Sequence, residues 1–365
     1  MYKIEPSGFV QEIIYQPPVN LRPEWEPLFR KDEAYLKVKL GVKELHHVFV
    51  NHYGLVLKNN LLVKGCAPNL GFSGYDESAY LKHWRKAVEQ QWVSRLGKSI
   101  KSKRLDKNKT YLLVHSPWFS YYFWITECIP RLLMARPFFK EVRLIYPETW
   151  HQLPFVQETL QLFPELEWEV IPEDVHLEVP HLFMPEVKPW TPMFIPEHVA
   201  SIRNLLFGAL DTKFNAQDAM IPGVYISRKK AKRRKFDRED KAEAFFKELG
   251  LMPVAMEELS FFEQIALMRR SHSAAAITGA GLVNLLFKST GGVFWDLTNE
   301  AYLTQSQYKF HYFKLCNILK IQYGVSFFPH ESDPTCDHYS NQNLIYNESI
   351  LRDTLPHFTD FPLKK

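Results

Sequence analysis

Three segments of this chain carry residue types that could do chemistry. The first is Thr278-Gly279-Ala280-Gly281-Leu282-Val283-Asn284, which joins a strand-like run to an apolar helical run. Two glycines allow a tight turn. Backbone N–H groups at a helix start point outward, and the helix dipole adds partial positive charge there, so Gly279, Ala280, Gly281 and Leu282 suit a phosphate. Asn284 stands where a third glycine would complete G-x-G-x-x-G, which argues against a nicotinamide cofactor. A tight turn without ligand is the plain alternative.

The second segment follows a strand-like run and is basic: Arg228, Lys229, Lys230, Lys232, Arg233, Arg234, Lys235 and Arg238, against Asp237 and Glu239. Arginine forks suit a diphosphate. A solvated loop, a nucleic-acid patch and a patch for anionic lipid heads are the rival readings. The third segment, Trp118 to Leu132, sets one carboxylate, Glu127, among aromatics that include Tyr122 and Trp124. A carboxylate in apolar surroundings has a raised pKa and can serve as a base. Its alternative is a core helix with Glu127 at the wet end.

Other chemistries are poorly supported. No H-E-x-x-H and no Asp-x-Asp occurs; His46, His47 and His52 read as surface histidines on a strand rather than a ligand set, so no metal is expected. Cys66, Cys128, Cys316 and Cys336 are scattered without a C-x-x-C, as expected of reduced thiols. The net charge of +4 does not argue for a nucleic-acid partner. Met1-Tyr2-Lys3-Ile4-Glu5-Pro6 lacks the charged and apolar regions of a signal peptide. The longest uncharged windows, Tyr111–Thr126 and Ser271–Phe287, are shorter than the ~18–20 residues of a membrane span. A cytoplasmic protein is the expectation.

The elements that must position these segments alternate. With 365 residues, 46% apolar and 24% charged, the chain is globular and long enough for roughly two domains. Runs near 48–50, 55–57 and 61–63 read as an antiparallel meander, Asp76–Leu96 as a helix, and Ser99–Lys109 as a solvated connection. From Tyr111 onward strands and helices alternate, with Phe119–Met134 a helix and strands at 142–146, 168–171 and 181–184. That texture implies βα units around parallel strands. Pro180, Pro185, Pro189, Pro192 and Pro196 mark a linker over about 185–197. A second alternating run follows, with helices over 197–210, 240–249 and 260–270 and strands at 223–227, 252–255, 274–278 and 292–297. Ser260 and Glu263 form a capping box, and Gly250 ends a helix. Ligands of such sheets bind beyond the carboxyl ends of the strands.

Taken together the motifs resemble glycosyltransferase family 61. Tyr121-Tyr122-Phe123-Trp124 … Glu127 … Pro130-Arg131-Leu132 is similar to the family's N-Y-x-H-W-x-x-[ED]-x-x-P-R-L. Ile226-Ser227-Arg228 … Ala231 … Arg233-Arg234 is similar to I-S-R-x-x-A-x-R-R, and Leu259-Ser260-Phe261 … Gln264 … Gly279-Ala280-Gly281-Leu282 … Asn284 to L-S-F-x-x-Q … H-G-A-G-L-x-N. The resemblance covers about 110–325. Two departures stand out: Phe123 and Thr278 replace family histidines.

The resemblance implies an α/β, GT-B-like fold, with two Rossmann-like domains facing across a cleft and a small β-rich N-terminal extension. The implied domains are an acceptor-side 1–190, a nucleotide-sugar-binding 191–330, and a tail, 331–365, packing back on the first. It further implies an inverting transferase using a nucleotide sugar, with no metal or other cofactor. The implied acceptor is a glycan or lipid-linked glycan of bacterial capsule, lipopolysaccharide or exopolysaccharide synthesis, with peripheral contact at the inner membrane. On this reading Glu127 is the base and His115 its reserve. Arg228, Arg233, Gly279, Ala280, Gly281, Leu282 and Asn284 hold the donor phosphates, and Tyr122, Trp124 and Arg131 shape the acceptor side. A non-catalytic binder of nucleotide or polyanion is the alternative function.

Overall fold

A computed structural model describes residues 16–29, 40–59, 61–67, 101–116, 120–173, 175–188, 194–214, 219–304, 310–331 and 342–361. The expected helix at Asp76–Leu96, together with Trp118, Phe119 and Cys336, lies outside them. The fold is α/β and forms two units. One holds the described residues from 40 to Ile202; the other holds 16–29 and Arg203 onward. The division between these units falls inside the helix Pro196–Phe214.

In the first unit the meander forms as expected. β1 (Val42–Val50), β2 (Val56–Lys58) and β3 (Leu61–Leu62) pair antiparallel. β4 (Lys101–Arg104), β5 (Thr110–Leu113), β6 (Val142–Pro147), β7 (Glu167–Ile171) and β8 (Val175–Pro185) supply the rest. The order is β3-β2-β1-β8-β5-β6-β7, with β4 also on β8. β4 corrects the expectation of a solvated connection at 99–109. It runs parallel to β8, and its cations find acids across the sheet: Lys103 meets Glu169 at 2.7 Å and Arg104 meets Glu178 at 2.9 Å. Such pairings with distant strands are invisible to local charge counting.

The expected single helix at 119–134 is a composite. Tyr121–Phe123 is α-helical, Trp124–Cys128 is a π-helix, and Ile129–Ala135 is α-helical again. Pro130 has no N–H to donate, and a proline ring crowds the carbonyl four residues back. The chain widens instead, and the Ile129 N–H reaches the Trp124 carbonyl. π-turns of this kind recur at functional sites.

The second unit is a five-stranded parallel sheet of β9 (Ile221–Ile226), β10 (Met252–Val254), β11 (Ser271–Ile277), β12 (Val293–Asn299) and β13 (Gln322–Phe328). Its order is β10-β9-β11-β12-β13. The helix Phe261–Arg270 starts with the expected capping box, with Ser260 N donating to Glu263 Oε2 at 2.8 Å. Gly250, at φ +86, terminates the helix Glu239–Glu248 as expected.

Residues 16–29 join this unit rather than an N-terminal domain, because they cover its edge strand. Val19 N donates to Tyr323 O at 2.8 Å, Asn20 bonds Val325 through both ends of its amide, and Phe29 packs on Phe310 and Phe313. Unpaired edge groups are thereby satisfied. The described part of the tail, 342–361, also packs in this unit. Helix Glu348–Thr354 lies against β13, and Phe358 and Phe361 sit 5.2 and 5.6 Å from the Trp295 ring. These aromatics close a core that also holds Tyr225, Phe236 and Phe246.

Candidate active site

In a doubly wound sheet, ligands bind where neighbouring strands send their connections in opposite directions. Relabelled within this unit, the strand order is 2-1-3-4-5, so that point lies between β9 and β11. The two candidate motifs of this unit leave the carboxyl ends of those same strands. Arg228 follows β9, and Gly279 follows β11.

The geometry brings them together. A Cβ placed on Gly279 would stand 3.2 Å from Arg228 Nη1 and 3.7 Å from Arg234 Nη1. Gly279 itself is extended, at φ 179 and ψ 175, and neither Gly279 nor Gly281 lies in the left-handed region. The glycines are therefore not needed for a left-handed turn. At 279 the absence of a side chain makes room for two guanidinium groups. Burial of Arg228 and the neighbouring charge of Arg234 lower its pKa from the ordinary arginine value. Two cations held this close, with both Nε atoms buried and unpartnered among the described residues, suit an anion.

The loop carrying these arginines is held from within. Glu239 accepts from Tyr225 OH at 2.6 Å and from the N–H groups of Arg228 and Phe236 at 2.9 Å each. Lys235 O accepts from Leu344 N, and Asp237 N donates to Leu344 O. Arg233, named with Arg228 in the sequence reading, is exposed, and its carbonyl accepts from Arg228 Nη2. Arg234 faces the turn instead. Its φ of +56 swings the side chain to that side, a backbone state the sequence does not announce.

Residues Ala280–Phe287 form a 3-10 helix, not an α-helix. Leu282 N is bonded to Gly279 O at 3.0 Å, so that N–H is used by the turn. The N–H groups of Ala280 and Gly281 have no intrahelical acceptor. Asn284 is 1% exposed and donates to Gln264 Oε1 at 2.9 Å, while Gln264 Nε2 donates to the carbonyls of Met256 and Leu259. The Gln264 and Asn284 positions of the motif thus pin the turn to the helix Phe261–Arg270. Thr278 Oγ1 donates to Asp296 Oδ1 at 2.5 Å, and Tyr323 OH to Oδ2 at 2.8 Å. Burial pushes the Asp296 carboxyl up to about 6.

In the first unit, Glu127 lies in the π-helical turn, 3% exposed. Its Oε2 accepts from Ser116 Oγ at 2.9 Å, and Oε1 has no hydrogen-bond partner among the described residues. Burial raises its pKa, partly offset by the Lys188 charge and the Ser116 hydroxyl. Lys188, in the stretch read as a linker, is buried; its Nζ lies 5.5 Å from the Tyr122 ring centre and 5.6 Å from that of Phe194. Burial lowers its pKa to about 8, against the pull of Glu127. Lys188 and Ser116 are the neighbours of Glu127 that the sequence reading missed; a lysine among prolines gives no local sign of burial.

The other candidates of this unit are buried. Burial and the Arg131 charge lower His115 to about 3. Trp124 packs edge-on to Trp150 at 5.6 Å. Arg131 donates to the carbonyls of Pro185, Val114, His115 and Leu113 at 2.7, 2.5, 3.0 and 3.2 Å. It ties the composite helix to the ends of β5 and β8.

The second unit thus sets two arginines at the switch point of a parallel sheet, a place that suits an anionic ligand. The family model described as Glycosyltransferase 61 matches residues 121–294, which supports assigning this chain to glycosyltransferase family 61. The comparison with curated proteins gives no match. No helix among the described residues is long and apolar enough to cross a membrane.

Proposed function

We propose that this chain is an inverting, metal-independent glycosyltransferase of GT-B architecture, using a nucleoside-diphosphate sugar. The acceptor is a glycan or lipid-linked glycan of a bacterial surface polysaccharide, reached at the cytoplasmic membrane face. The observation that carries the reading is the meeting of Arg228, Arg234 and Gly279 at the β9–β11 switch point.

The acceptor hydroxyl attacks the anomeric carbon from the face opposite the diphosphate. The new C–O bond forms as the bond to the phosphate oxygen breaks, and the acceptor proton passes to Glu127. Charge growing on the leaving diphosphate is stabilised by Arg228, Arg234 and the N–H groups of Ala280 and Gly281, an electrostatic contribution of about 3 kcal/mol per well-placed donor. Between the two base candidates, physical chemistry favours Glu127. A histidine at about 3 holds a proton too weakly to compete near neutral pH, whereas a raised carboxylate is a stronger base than an exposed one.

The deep burial of Glu127 and the replacement of family histidines by Phe123 and Thr278 favour one rival, a binder of the same fold without transfer. Titration of UDP, GDP, CDP and dTDP by calorimetry, with and without EDTA, tests the donor half. One nucleotide should bind, unaffected by EDTA. Arg228→Ala and Arg234→Ala should each weaken it by about 1.5–3 kcal/mol, with Arg233→Ala nearly silent. Equal binding by Arg228→Ala would remove the arginine pair from the site. Nucleotide binding without turnover of any matching nucleotide sugar would favour the rival.

A further inference from the structure

β1 and β8 run antiparallel with His46 directly opposite His181. Glu44 lies two residues before His46, so a pleated strand presents both on one face. The core-facing residues are the others. Leu45, Val48 and Val50 pack with Val179, Leu182 and Met184, the left-handed His47 at φ +52 shifting the alternation between Leu45 and Val48.

On the outward face three ligand atoms converge. His181 Nε2 lies 2.8 Å and His46 Nε2 3.7 Å from Glu44 Oε1. One ligand atom from each of the three lies within 4.8 Å of the others, and the two imidazole rings are 4.5 Å apart. Ligands about 2.0–2.2 Å from a tetrahedral zinc ion stand roughly 3.3–3.6 Å from one another. The separations within the cluster thus bracket that spacing, with the two imidazole rings stacked at 18°.

We propose that Glu44, His46 and His181 bind one divalent transition-metal ion of the zinc class. Two imidazoles and one carboxylate form a borderline donor set, unlike the all-oxygen shells of calcium or magnesium. A further contact fits the chemistry. Thr110 Oγ1 lies 2.9 Å from His181 Nδ1. A proton on Nδ1 shared with that hydroxyl leaves the Nε2 lone pair for the metal, as outer-shell partners of ligating histidines do. The side chains of His46, Glu44 and His181 are 57%, 41% and 28% exposed, which leaves a route from solvent and room for water as a fourth ligand. The site shares no residue with the proposed transfer machinery and does not rest on that function. Its role is a clip between β1, which carries the meander, and β8. Binding only the folded form, the ion raises the unfolding temperature.

The test uses the full chain, stripped with chelator and dialysed, titrated calorimetrically with zinc chloride. One ion per chain should bind with micromolar affinity and raise the melting temperature. His46→Ala and His181→Ala should each weaken binding at least tenfold and abolish the thermal shift, and Thr110→Val should weaken it roughly 10-fold or more. His46 is the most exposed of the three, so His46→Ala decides if His181→Ala folds poorly. Absence of stoichiometric binding overturns the proposal. So does wild-type zinc affinity in His46→Ala, which would place the ion on other histidines and leave the trio as a carboxylate–imidazole pair.

Discussion

Replacing Arg131 by methionine separates a supporting role from an acceptor-binding one. The methionine keeps the length of the stem and loses the charge and all five donors. Four carbonyls lose a donor: those of Leu113, Val114 and His115 at the end of β5 and that of Pro185 at the end of β8. Hydrogen bonds from a charged donor are worth about 1.5–3 kcal/mol each, but holding the guanidinium out of water offsets much of that. The offset is visible in the group itself, which burial lowers to about 10, still charged at neutral pH. Removing one partner of such a buried charged network costs about 3–5 kcal/mol. At ~2–4 °C per kcal/mol for a unit of this size, the melting temperature should fall by about 6–20 °C. Calorimetric unfolding of the variant measures this, with nucleotide affinity as a control. An Arg131→Met protein that melts like wild type but has lost transfer would refute the supporting role and return Arg131 to the acceptor side.

Other outcomes follow from the same contacts. Glu127→Gln should abolish sugar transfer while nucleotide affinity stays within about twofold; surviving turnover would exclude Glu127 as the base. Lys188→Met removes a positive charge that favours the Glu127 carboxylate, so the acid limb of the pH–rate profile should move to higher pH; an unmoved limb would uncouple the two groups. His115 is neutral in the fold, with a pKa near 3 against about 6.5 when unfolded. Its contribution is fully present above pH ~6.5 and is lost as pH falls towards 3, because the unfolded chain takes up the proton first. His115→Asn should therefore flatten the loss of stability on acidification, read by melting temperature against pH. Asn284→Ala should cost about 1–3 kcal/mol by leaving the Gln264 carbonyl unpaired, with Gln264→Ala similar and the double variant less than additive.

Much of the fold was legible because its signals are local. The capping box at Ser260 and Glu263 needs four consecutive residues, and the stop at Gly250 needs one. The apolar runs of β5, β6, β11 and β12 read as buried strands, and their alternation with helices announced parallel sheets. The meander of β1 to β3 was legible for the same reason. The candidate site was legible as motifs: Ile226-Ser227-Arg228, Gly279-Ala280-Gly281 and the aromatic run around Glu127 all stand within the matched family segment.

What those residues do was decided by tertiary structure. Sequence named Arg233, but the left-handed backbone at Arg234 turns that side chain towards Gly279. Gly279 was expected to serve the turn and instead leaves space for guanidinium groups supplied from another strand. Lys188, among prolines, becomes the buried partner of Glu127, and Arg131 becomes a tie between strands. Residues 16–29 and 342–361, at opposite ends of the chain, complete the second sheet's edge and core. The physical reason is common to all of these. Helix starts, turns and strand propensity depend on neighbours a few residues away, whereas burial, charge pairing and edge coverage depend on contacts between segments tens to hundreds of residues apart, which exist only once the loops between them have closed.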